Sequence, residues 1–269
     1  MEELKLLRYK NPDFKMYIEP VFEIAYDPER FELATRKIFS NLIKPESNFV
    51  DVGAHFGFYS LLVSKIISSG NIFSFEPVER SVDIFKRNIV LNGFKGIKIF
   101  NFAISDKKGK KDFYISALSD SCGFTQHPRA GSIRKIKIET NSLDNVIGDE
   151  KIDVVKIDTE GHEVGVILGM KKIIANNPKI KIILEFNPKC IRSAGIKISQ
   201  FAEVLKAANL EIHMIKDSGP FLINLTENFN KWEDYLDEIS YANLLCLKKE
   251  ERDRLIKKSE FFGNIFKGN

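Results

Sequence analysis

The stretch that decides the fold is Asn48-Phe-Val-Asp-Val-Gly-Ala-His-Phe-Gly-Phe-Tyr-Ser60. Its apolar beginning predicts a short buried strand, Gly53 predicts a tight turn, and apolar residues at helical spacing from Phe58 to Ile66 predict a helix. A strand that turns directly into a helix leaves free backbone N–H groups at the carboxyl end of the strand. Open α/β sheets bind nucleotide-like ligands at that end. The stretch therefore predicts such a ligand here.

The composition indicates one large α/β domain with appendages. The chain has 269 residues, 43% of them hydrophobic, which is enough for a full core. The net charge of +4 is mild and the basic residues are dispersed, so we expect no nucleic-acid partner. Three cysteines without CxxC spacing argue against disulfides and zinc. Without an apolar signal segment or a run of about 20 apolar residues, we expect a cytoplasmic protein with no transmembrane segment.

Strand-like and helix-like segments alternate along the chain. Short connections between them indicate a parallel, right-handed α/β unit. After the opening strand, strands are predicted at 71–77, 95–103, 152–158, 180–186, 210–216 and 241–247. Helices are predicted at 78–92, 163–176 and 199–208, and the N-terminal segment is predicted to hold a strand at 14–25 and a helix at 28–42.

The alternation is interrupted after the third strand. A lysine-rich turn at 106–111 precedes a predicted return strand at 112–117, and another strand is predicted at 133–139. The polar residues 118–132 between them have the length of a binding loop. The predicted organisation is a cap segment at 1–47, a main domain at 48–247 with a hairpin and loop insertion at 104–139, and a basic C-terminal tail at 248–269.

The glycine turn differs from a dinucleotide-binding loop. His55 stands where the GxGxxG pattern requires its second glycine, which lets a pyrophosphate approach the backbone. Glu76 ends the second strand nineteen residues after Gly57, where a carboxylate can bind both hydroxyls of a ribose. Asp51 is placed to accept a hydrogen bond from a cationic amine or from water. Together these residues describe an adenosine ligand with an amino-acid-like head.

Four sequence blocks carry a family resemblance. Asp51-Val-Gly-Ala-His-Phe-Gly-Phe-Tyr-Ser60 with Phe75-Glu-Pro77 resembles the S-adenosylmethionine site of class I methyltransferases. With Asn101-Phe-Ala-Ile-Ser-Asp106 and Val155-Lys-Ile-Asp-Thr-Glu-Gly-His-Glu163, the chain resembles the FkbM family of O-methyltransferases. The resemblance implies a Rossmann-like α/β fold with a mostly parallel seven-stranded sheet, helices on both faces and an antiparallel last strand.

The resemblance also assigns residues to a methyl donor, S-adenosyl-L-methionine. The first strand and the glycine turn would shape the pocket for its methionine part, and Glu76 would hold its ribose. Ala103 and Ile104 would line its adenine. The full set assigned to this cofactor is Asp51, Gly53, His55, Phe56, Gly57, Glu76, Ala103, Ile104 and Asp158.

Acidic residues gather at the carboxyl ends of the fourth and fifth strands. Strand alternation places Lys156 and Asp158 on one side of the fourth strand, and this end of a parallel sheet faces the ligand crevice. Methyl transfer to a hydroxyl needs a neighbouring group that takes its proton. Glu163 is assigned to stabilising the following helix dipole. The predicted catalytic residues are Asp158, Glu160, His162 and Glu185.

The same acidic residues also suit a divalent cation. Oxygen ligands from Asp158, Glu160, Glu185 and Asn187 would hold it. A cation there would orient a sugar-like diol and lower the pKa of the attacking hydroxyl. In the alternative interpretation no metal takes part, and Glu185 forms hydrogen bonds to loop backbone or to the substrate.

The predicted function is S-adenosylmethionine-dependent O-methylation of a sugar, glycan or secondary metabolite, so the expected partner is a small-molecule or glycan acceptor. One alternative is an RNA (tRNA) methyltransferase, because the segment 88–92 after a Glu-Pro pair resembles some archaeal tRNA methyltransferases. Those enzymes carry a proline-containing catalytic tetrapeptide where this chain has Asp-Thr-Glu-Gly. The other alternative is a non-catalytic adenosine-ligand-binding protein, which the carboxylates at both strand ends disfavour. No oligomeric state is predicted.

Overall fold

A central β-sheet organises the molecule, and helices connect most of its strands. The structure, a computed structural model, describes residues 3–116, 122–125, 133–216, 222–226 and 241–267. The strands are β1 (Lys5–Lys10), β2 (Asp13–Ile18), β3 (Phe49–Val52), β4 (Ile72–Phe75), β5 (Ile97–Phe100), β6 (Ala103–Ile104), β7 (Gly109–Ser116), β8 (Ile133–Asn141), β9 (Val154–Ile157), β10 (Lys181–Phe186), β11 (Glu211–Ile215), β12 (Leu222–Asn224) and β13 (Ala242–Leu247). The helices are α1 (Leu33–Leu42), α2 (Phe58–Ser64), α3 (Glu79–Asn92), α4 (Leu143–Ile147), α5 (Glu163–Leu168), α6 (Lys171–Asn176), α7 (Pro188–Ser193), α8 (Ile198–Ala207), α9 (Lys249–Lys258) and α10 (Glu260–Lys267).

The central sheet has eight strands in the spatial order β12-β11-β13-β10-β9-β3-β4-β5. The strands from β5 across to β10 are parallel, and β13 lies antiparallel between β10 and β11. This arrangement confirms the predicted parallel sheet with an antiparallel last strand. The predicted count of seven strands is wrong, because β12 pairs with β11 as an eighth, edge strand. With three residues, β12 is too short to show an alternating pattern in the sequence.

Apolar layers cover both faces of the sheet. Along β3, Val50 and Val52 pack into one layer, whereas Phe49 packs into the other, as strand alternation requires. Asp51 and Lys156 are register partners on the neighbouring strands β3 and β9. Both therefore project from the Phe49 face, as does Ser74, the register partner of Asp51 on β4, so buried polar side chains interrupt this apolar layer.

The hairpin predicted after the third strand is present. β7 and β8 pair antiparallel, and β6 joins β8 in a separate three-stranded sheet. Of the predicted loop at 118–132, residues 122–125 are described and the rest lies outside the described residues. The single helix predicted at 163–176 is divided into α5 and α6. The division falls at Gly169, where an added Cβ would lie 2.0 Å from the carbonyl oxygen of Ser105.

The N-terminal residues form a hairpin that packs against helix α3. The hairpin pairs β1 with β2; β1 was not predicted, and the strand predicted at 14–25 ends at Ile18, before a 3-10 turn at Pro20–Phe22. The side chains of Asn88 and Asn92 on α3 each bond both backbone groups of one residue on β2. Asn88 also donates to the carbonyl oxygen of Phe56. These two amides therefore replace a neighbouring strand at the edge of β2 and join the hairpin to the glycine turn.

The last described residues form two helices that pack on the sheet. Phe262 and Ile265 are buried in the same apolar layer as Phe49. At the amino end of β10, the ammonium of Lys181 lies 3.1 Å from a carboxylate oxygen of Glu251 on α9, and both side chains are buried. Within the part of the chain that the structure describes, no helix is both long and apolar enough to cross a membrane.

Substituting Asn88→Ala should lower the free energy of unfolding by about 2–3 kcal/mol, because two partly buried backbone groups of Tyr17 and the buried carbonyl of Phe56 lose their partner. Urea denaturation measures this change. The control is Asn41→Ala, since Asn41 is exposed and its amide donates to the carbonyl oxygen of Lys37 in the same helix. This substitution should shift stability by no more than about 0.5 kcal/mol. Equal effects of the two substitutions would contradict the proposed docking role of Asn88.

Candidate active site

One cavity of about 350 Å³ lies at the carboxyl ends of β3, β4, β9 and β10. Parallel α/β sheets bind ligands at this edge, and the volume falls within the range of small-molecule sites. Three sequence-predicted residues, Phe56, Gly57 and His162, do not line the cavity. The predicted residues that line it are Asp51, Gly53, His55, Glu76, Ala103, Ile104, Asp158, Glu160, Glu185 and Asn187.

The shape of the cavity depends on a close backbone contact at Gly53. This residue has a φ of +79°, which favours glycine. A Cβ added to Gly53 would lie 1.7 Å from the carbonyl oxygen of Asp158. The N–H of Asp158 in turn donates to the carbonyl oxygen of Val52 at 2.9 Å. A side chain at position 53 would therefore push the ends of β3 and β9 apart.

Phe56 and Gly57 pack on the side of the glycine turn that faces away from the cavity. An added Cβ at Gly57 would lie 2.1 Å from ring atoms of Phe85. Phe56 is fully buried, and its ring stacks on that of His55 with the centroids 3.6 Å apart. Both residues fix the loop that carries the cavity wall and are not part of that wall.

Glu76 joins the glycine turn to the end of β4. One carboxylate oxygen accepts the N–H of His55 and the other accepts the N–H of Val78, both at 2.8 Å. Burial raises the pKa of Glu76 to about 7. Each carboxylate oxygen has a second acceptor site, so the group retains capacity for ligand hydroxyls at the cavity.

His55 links the turn to the N-terminal segment. Its Nδ1 lies 2.9 Å from the hydroxyl oxygen of Tyr26, and its ring contacts Phe22 edge to face. Burial lowers the pKa of His55 to about 3, so the ring is neutral at physiological pH. His55, which stands where a dinucleotide-binding loop has its second glycine, therefore packs between the cavity wall and the N-terminal segment.

Asp51 anchors helix α2 beneath the cavity. One of its carboxylate oxygens accepts hydrogen bonds from the hydroxyl and the N–H of Ser60, at 2.6 and 3.1 Å. The Ser60 hydroxyl also lies 2.8 Å from that of Ser74 on β4. Burial raises the pKa of Asp51 to about 6. Asp51 thus has both a structural role and a surface in the cavity.

Three carboxylates meet at the far end of the cavity. Asp158, Glu160 and Glu185 each offer an oxygen within 4.8 Å of the others, and we call them the acid cluster. Burial, together with the charges of Asp158 and Glu160, raises the pKa of Glu185 well above its ordinary value. Asn187, the fourth predicted ligand, accepts the N–H of Cys190 and caps α7. These distances allow a shared cation, and the metal remains a prediction.

A buried lysine lies beside the acid cluster. The Lys156 side chain is only 1% exposed, and its Nζ donates to a carboxylate oxygen of Asp158 at 3.1 Å. The same ammonium lies 5.4 Å from the centroid of the Tyr59 ring. Burial alone disfavours the charged form, but the carboxylates of Asp158, Glu32 and Glu185 outweigh it and raise the pKa of Lys156 above its ordinary value. Lys156 is therefore a charged group in the cavity wall.

Sequence reasoning missed a polar network above this lysine. Glu32 lines the cavity and accepts hydrogen bonds from the hydroxyl of Tyr59 and, at 2.9 Å, from the amide of Asn243. Glu32 comes from the N-terminal segment, where no motif identifies it. Asn243 could have been found from the sequence, because it is a polar residue within the otherwise apolar strand β13.

Residues 51–241 match the family model of the methyltransferase FkbM domain. The chain belongs to this family. The match extends over most of the chain and confirms the resemblance predicted from the four sequence blocks. It includes all the cavity residues on the central sheet, whereas the cavity residues of the N-terminal segment, such as Tyr26 and Glu32, precede it.

Individual relatives of this FkbM chain are distant. The methyltransferase sdnD of Sordaria araneosa is 27% identical over 153 residues, which are 45% of this chain and 59% of sdnD. The 2-O-methyltransferase NoeI of Sinorhizobium fredii is 28% identical over 158 residues, 52% of this chain and 63% of NoeI. The chain thus spans less than two thirds of either relative. A crystal structure of P. horikoshii TYW2 in complex with MeSAdo is similar at a TM-score of 0.48 and 11% identity, covering 91% of this chain and 70% of that chain.

Two further residues of the FkbM motif lie behind the cavity wall. The Nε2 of His162 is 2.9 Å from the hydroxyl oxygen of Ser105, and its ring packs on Phe124 with centroids 4.0 Å apart. Burial lowers the pKa of His162 to about 4. Glu163 accepts hydrogen bonds from Thr159 and Gly161, and so holds the turn that presents Glu160.

Replacing Glu76 by glutamine should reduce the loss of stability as pH rises. Burial raises the pKa of Glu76 from 4.5 to about 7, so folding favours the protonated carboxyl. The resulting stabilisation is complete below pH 4.5 and is lost as pH rises through 7. Glutamine has no such proton, so the unfolding free energy of Glu76→Gln should fall less than that of the wild type between pH 5 and pH 8. The exposed Glu79→Gln should follow the wild type; equal slopes for all three proteins would refute the assignment.

Proposed function

We propose that this FkbM chain is an S-adenosylmethionine-dependent O-methyltransferase that acts on a hydroxyl of a sugar, a glycan or a secondary metabolite. The observation that carries the proposal is one cavity with two chemically different ends. Glu76 and the glycine turn form the donor end, and the acid cluster forms the acceptor end. The contact between Gly53 and Asp158 joins these ends through the backbone.

The residues at the donor end fit S-adenosyl-L-methionine. The carboxylate of Glu76 is suited to ribose hydroxyls, the apolar Ala103 and Ile104 to a purine face, and Asp51 to an ammonium group. When bound, this cofactor supplies a methyl group on a positively charged sulfur. The carboxylates around the cavity favour a cation of that kind.

The chemistry of the acceptor end is proton removal and alignment. Asp158 uses one oxygen to pair with Lys156, and we assign its second oxygen to receive the proton of the acceptor hydroxyl. A positioned base of this kind contributes about 10²–10⁴-fold to a rate. Glu160 and Glu185 are placed to accept hydrogen bonds from neighbouring hydroxyls of the acceptor, which would fix the reacting oxygen in line with the donor.

Two observations favour a hydroxylated small molecule over RNA. The acceptor end is lined by carboxylates, which repel a phosphate backbone, whereas nucleic-acid sites concentrate lysine and arginine. A relative named as a 2-O-methyltransferase supports oxygen as the methyl acceptor. A non-catalytic adenosine-binding protein remains the third candidate, and detection of any methyl transfer excludes it.

The donor site is tested by calorimetric titration with S-adenosylmethionine. Glu76→Gln should weaken binding by about tenfold or more, because a buried carboxylate that accepts ribose hydroxyls contributes on the order of 1.5–3 kcal/mol. The control is Glu79→Gln. Glu79 lies three positions after Glu76 and is exposed, so this variant should bind S-adenosylmethionine with the affinity of the wild type. Unchanged affinity in Glu76→Gln, or no binding to the wild type, would refute the donor assignment.

The acceptor site is tested with labelled S-adenosylmethionine and a panel of methyl glycosides, nucleotide sugars and oligosaccharides. On the acceptor that this panel identifies, Asp158→Asn should lower turnover by about 10²–10⁴-fold, with donor affinity within about threefold. Asp153→Asn is the control, because Asp153 lies at the opposite end of the same strand and contacts the N–H of Asn48. Near-normal turnover of Asp158→Asn would exclude Asp158 as the proton acceptor.

A further inference from the structure

The site contains a buried cation for which the proposed reaction has so far no use. Lys156 is a register partner of Asp51, so its side chain crosses the apolar face of the sheet before it reaches the cavity wall. Placing an ammonium in such a position is costly unless charge and hydrogen bonds compensate it. The carboxylates of Asp158, Glu32 and Glu185 supply that compensating charge.

The hydrogen bonds of Lys156 are incomplete. An ammonium has three donors, and among the described residues Nζ donates only to Asp158. The Tyr59 ring offers a π face at 5.4 Å and not a hydrogen-bond acceptor. Buried donors are normally satisfied. Because Lys156 lines the cavity, its remaining donors are available to a molecule bound there.

A second buried lysine shows the contrast. Lys181 lies on the next strand, β10, and its Nζ is also 3.1 Å from a carboxylate, that of Glu251. Lys181 is at the amino end of its strand and does not line the cavity. Its carboxylate partner is shared with Arg254 in a structural ion pair. Thus both lysines are buried and have a carboxylate oxygen at 3.1 Å, but of the two only Lys156 faces the space for a substrate.

We propose that Lys156 is a catalytic residue, whose ammonium donates a hydrogen bond to the oxygen of the acceptor hydroxyl while Asp158 takes the proton. The inference rests on the proposed O-methyl transfer. It assigns to a lysine the work that a divalent cation would otherwise do: polarising the hydroxyl and stabilising the negative charge that develops on its oxygen. The 3.1 Å pair of Lys156 and Asp158 places an electrophile and a base side by side.

The step balances without another reactant. The O–H bond of the acceptor breaks, and its proton passes to the free carboxylate oxygen of Asp158. An electron pair on the acceptor oxygen forms the new O–CH₃ bond, and the pair of the broken S–CH₃ bond stays on sulfur as a neutral thioether. Lys156 keeps its proton throughout, so it acts as a fixed positive charge. Proton loss from Asp158 to water then restores the site.

The position of Lys156 also predicts how the acid cluster responds to metals. The ammonium already neutralises part of the charge of three carboxylates and engages an oxygen of Asp158. A divalent cation in the cluster would lie close to this like charge, which weakens its binding. The wild type should therefore bind divalent metals poorly, and removal of the ammonium should create a metal site.

The test compares Lys156→Met with the matched control Lys181→Met by titrating each with Mn²⁺ alone. The wild type and Lys181→Met should show no saturation at millimolar Mn²⁺, whereas Lys156→Met should bind at least about tenfold more tightly. Adding Glu185→Gln to Lys156→Met should abolish this gain in Mn²⁺ affinity.

The second measurement is turnover on the acceptor found by the panel. Lys156→Met should lose turnover by about 10²–10³-fold with donor affinity retained, and Lys181→Met should keep near-normal turnover.

Two results would overturn the inference. One is tight Mn²⁺ binding by the wild type that Glu185→Gln removes, because a metal would then be the electrophile; this measurement needs no lysine variant to fold. The other is normal turnover in Lys156→Met. Failure of the wild type to bind S-adenosylmethionine or to methylate any acceptor would instead refute the proposed function, and the Mn²⁺ titrations would still decide whether Lys156 occupies the cation position.

Discussion

The contact between the backbone of Gly53 and the carbonyl of Asp158 holds the two halves of the site together. An added Cβ would lie 1.7 Å from that oxygen, so β3 and β9 end at this separation only with glycine at position 53. On one side of the contact, the turn after β3 carries His55, whose N–H is bound by Glu76. On the other side, the turn after β9 presents Glu160. A single close approach thus brings the proposed donor end and the acid cluster into one cavity.

Charge is distributed unevenly around this cavity. Burial raises the pKa of Asp51, Glu76 and Glu185, because each carboxylate is removed from water with few compensating cations. Among the described residues that line the cavity, Lys156 is the cation that lies beside the acid cluster. The lysine and the acid cluster therefore form one electrostatic unit, and an account of either group has to include the other.

The sequence predicted those parts of the site that strand ends and glycine turns determine locally. Strand alternation placed Lys156 beside Asp158, and their 3.1 Å hydrogen bond agrees with it. Local patterns gave no indication of Glu32, because its place in the cavity results from the packing of the N-terminal segment on the sheet. They also could not reveal that His162 packs behind the wall, since its partner Ser105 lies 57 positions away in the chain. The eighth strand was missed because three residues show no period.

The most direct test of this account is a crystal structure of the protein with S-adenosylhomocysteine. In that structure the ribose hydroxyls should lie within hydrogen-bond distance of the Glu76 carboxylate, and the thioether sulfur should face the Lys156–Asp158 pair. A ligand whose ribose contacts the acid cluster, or one that binds outside the cavity, would contradict it.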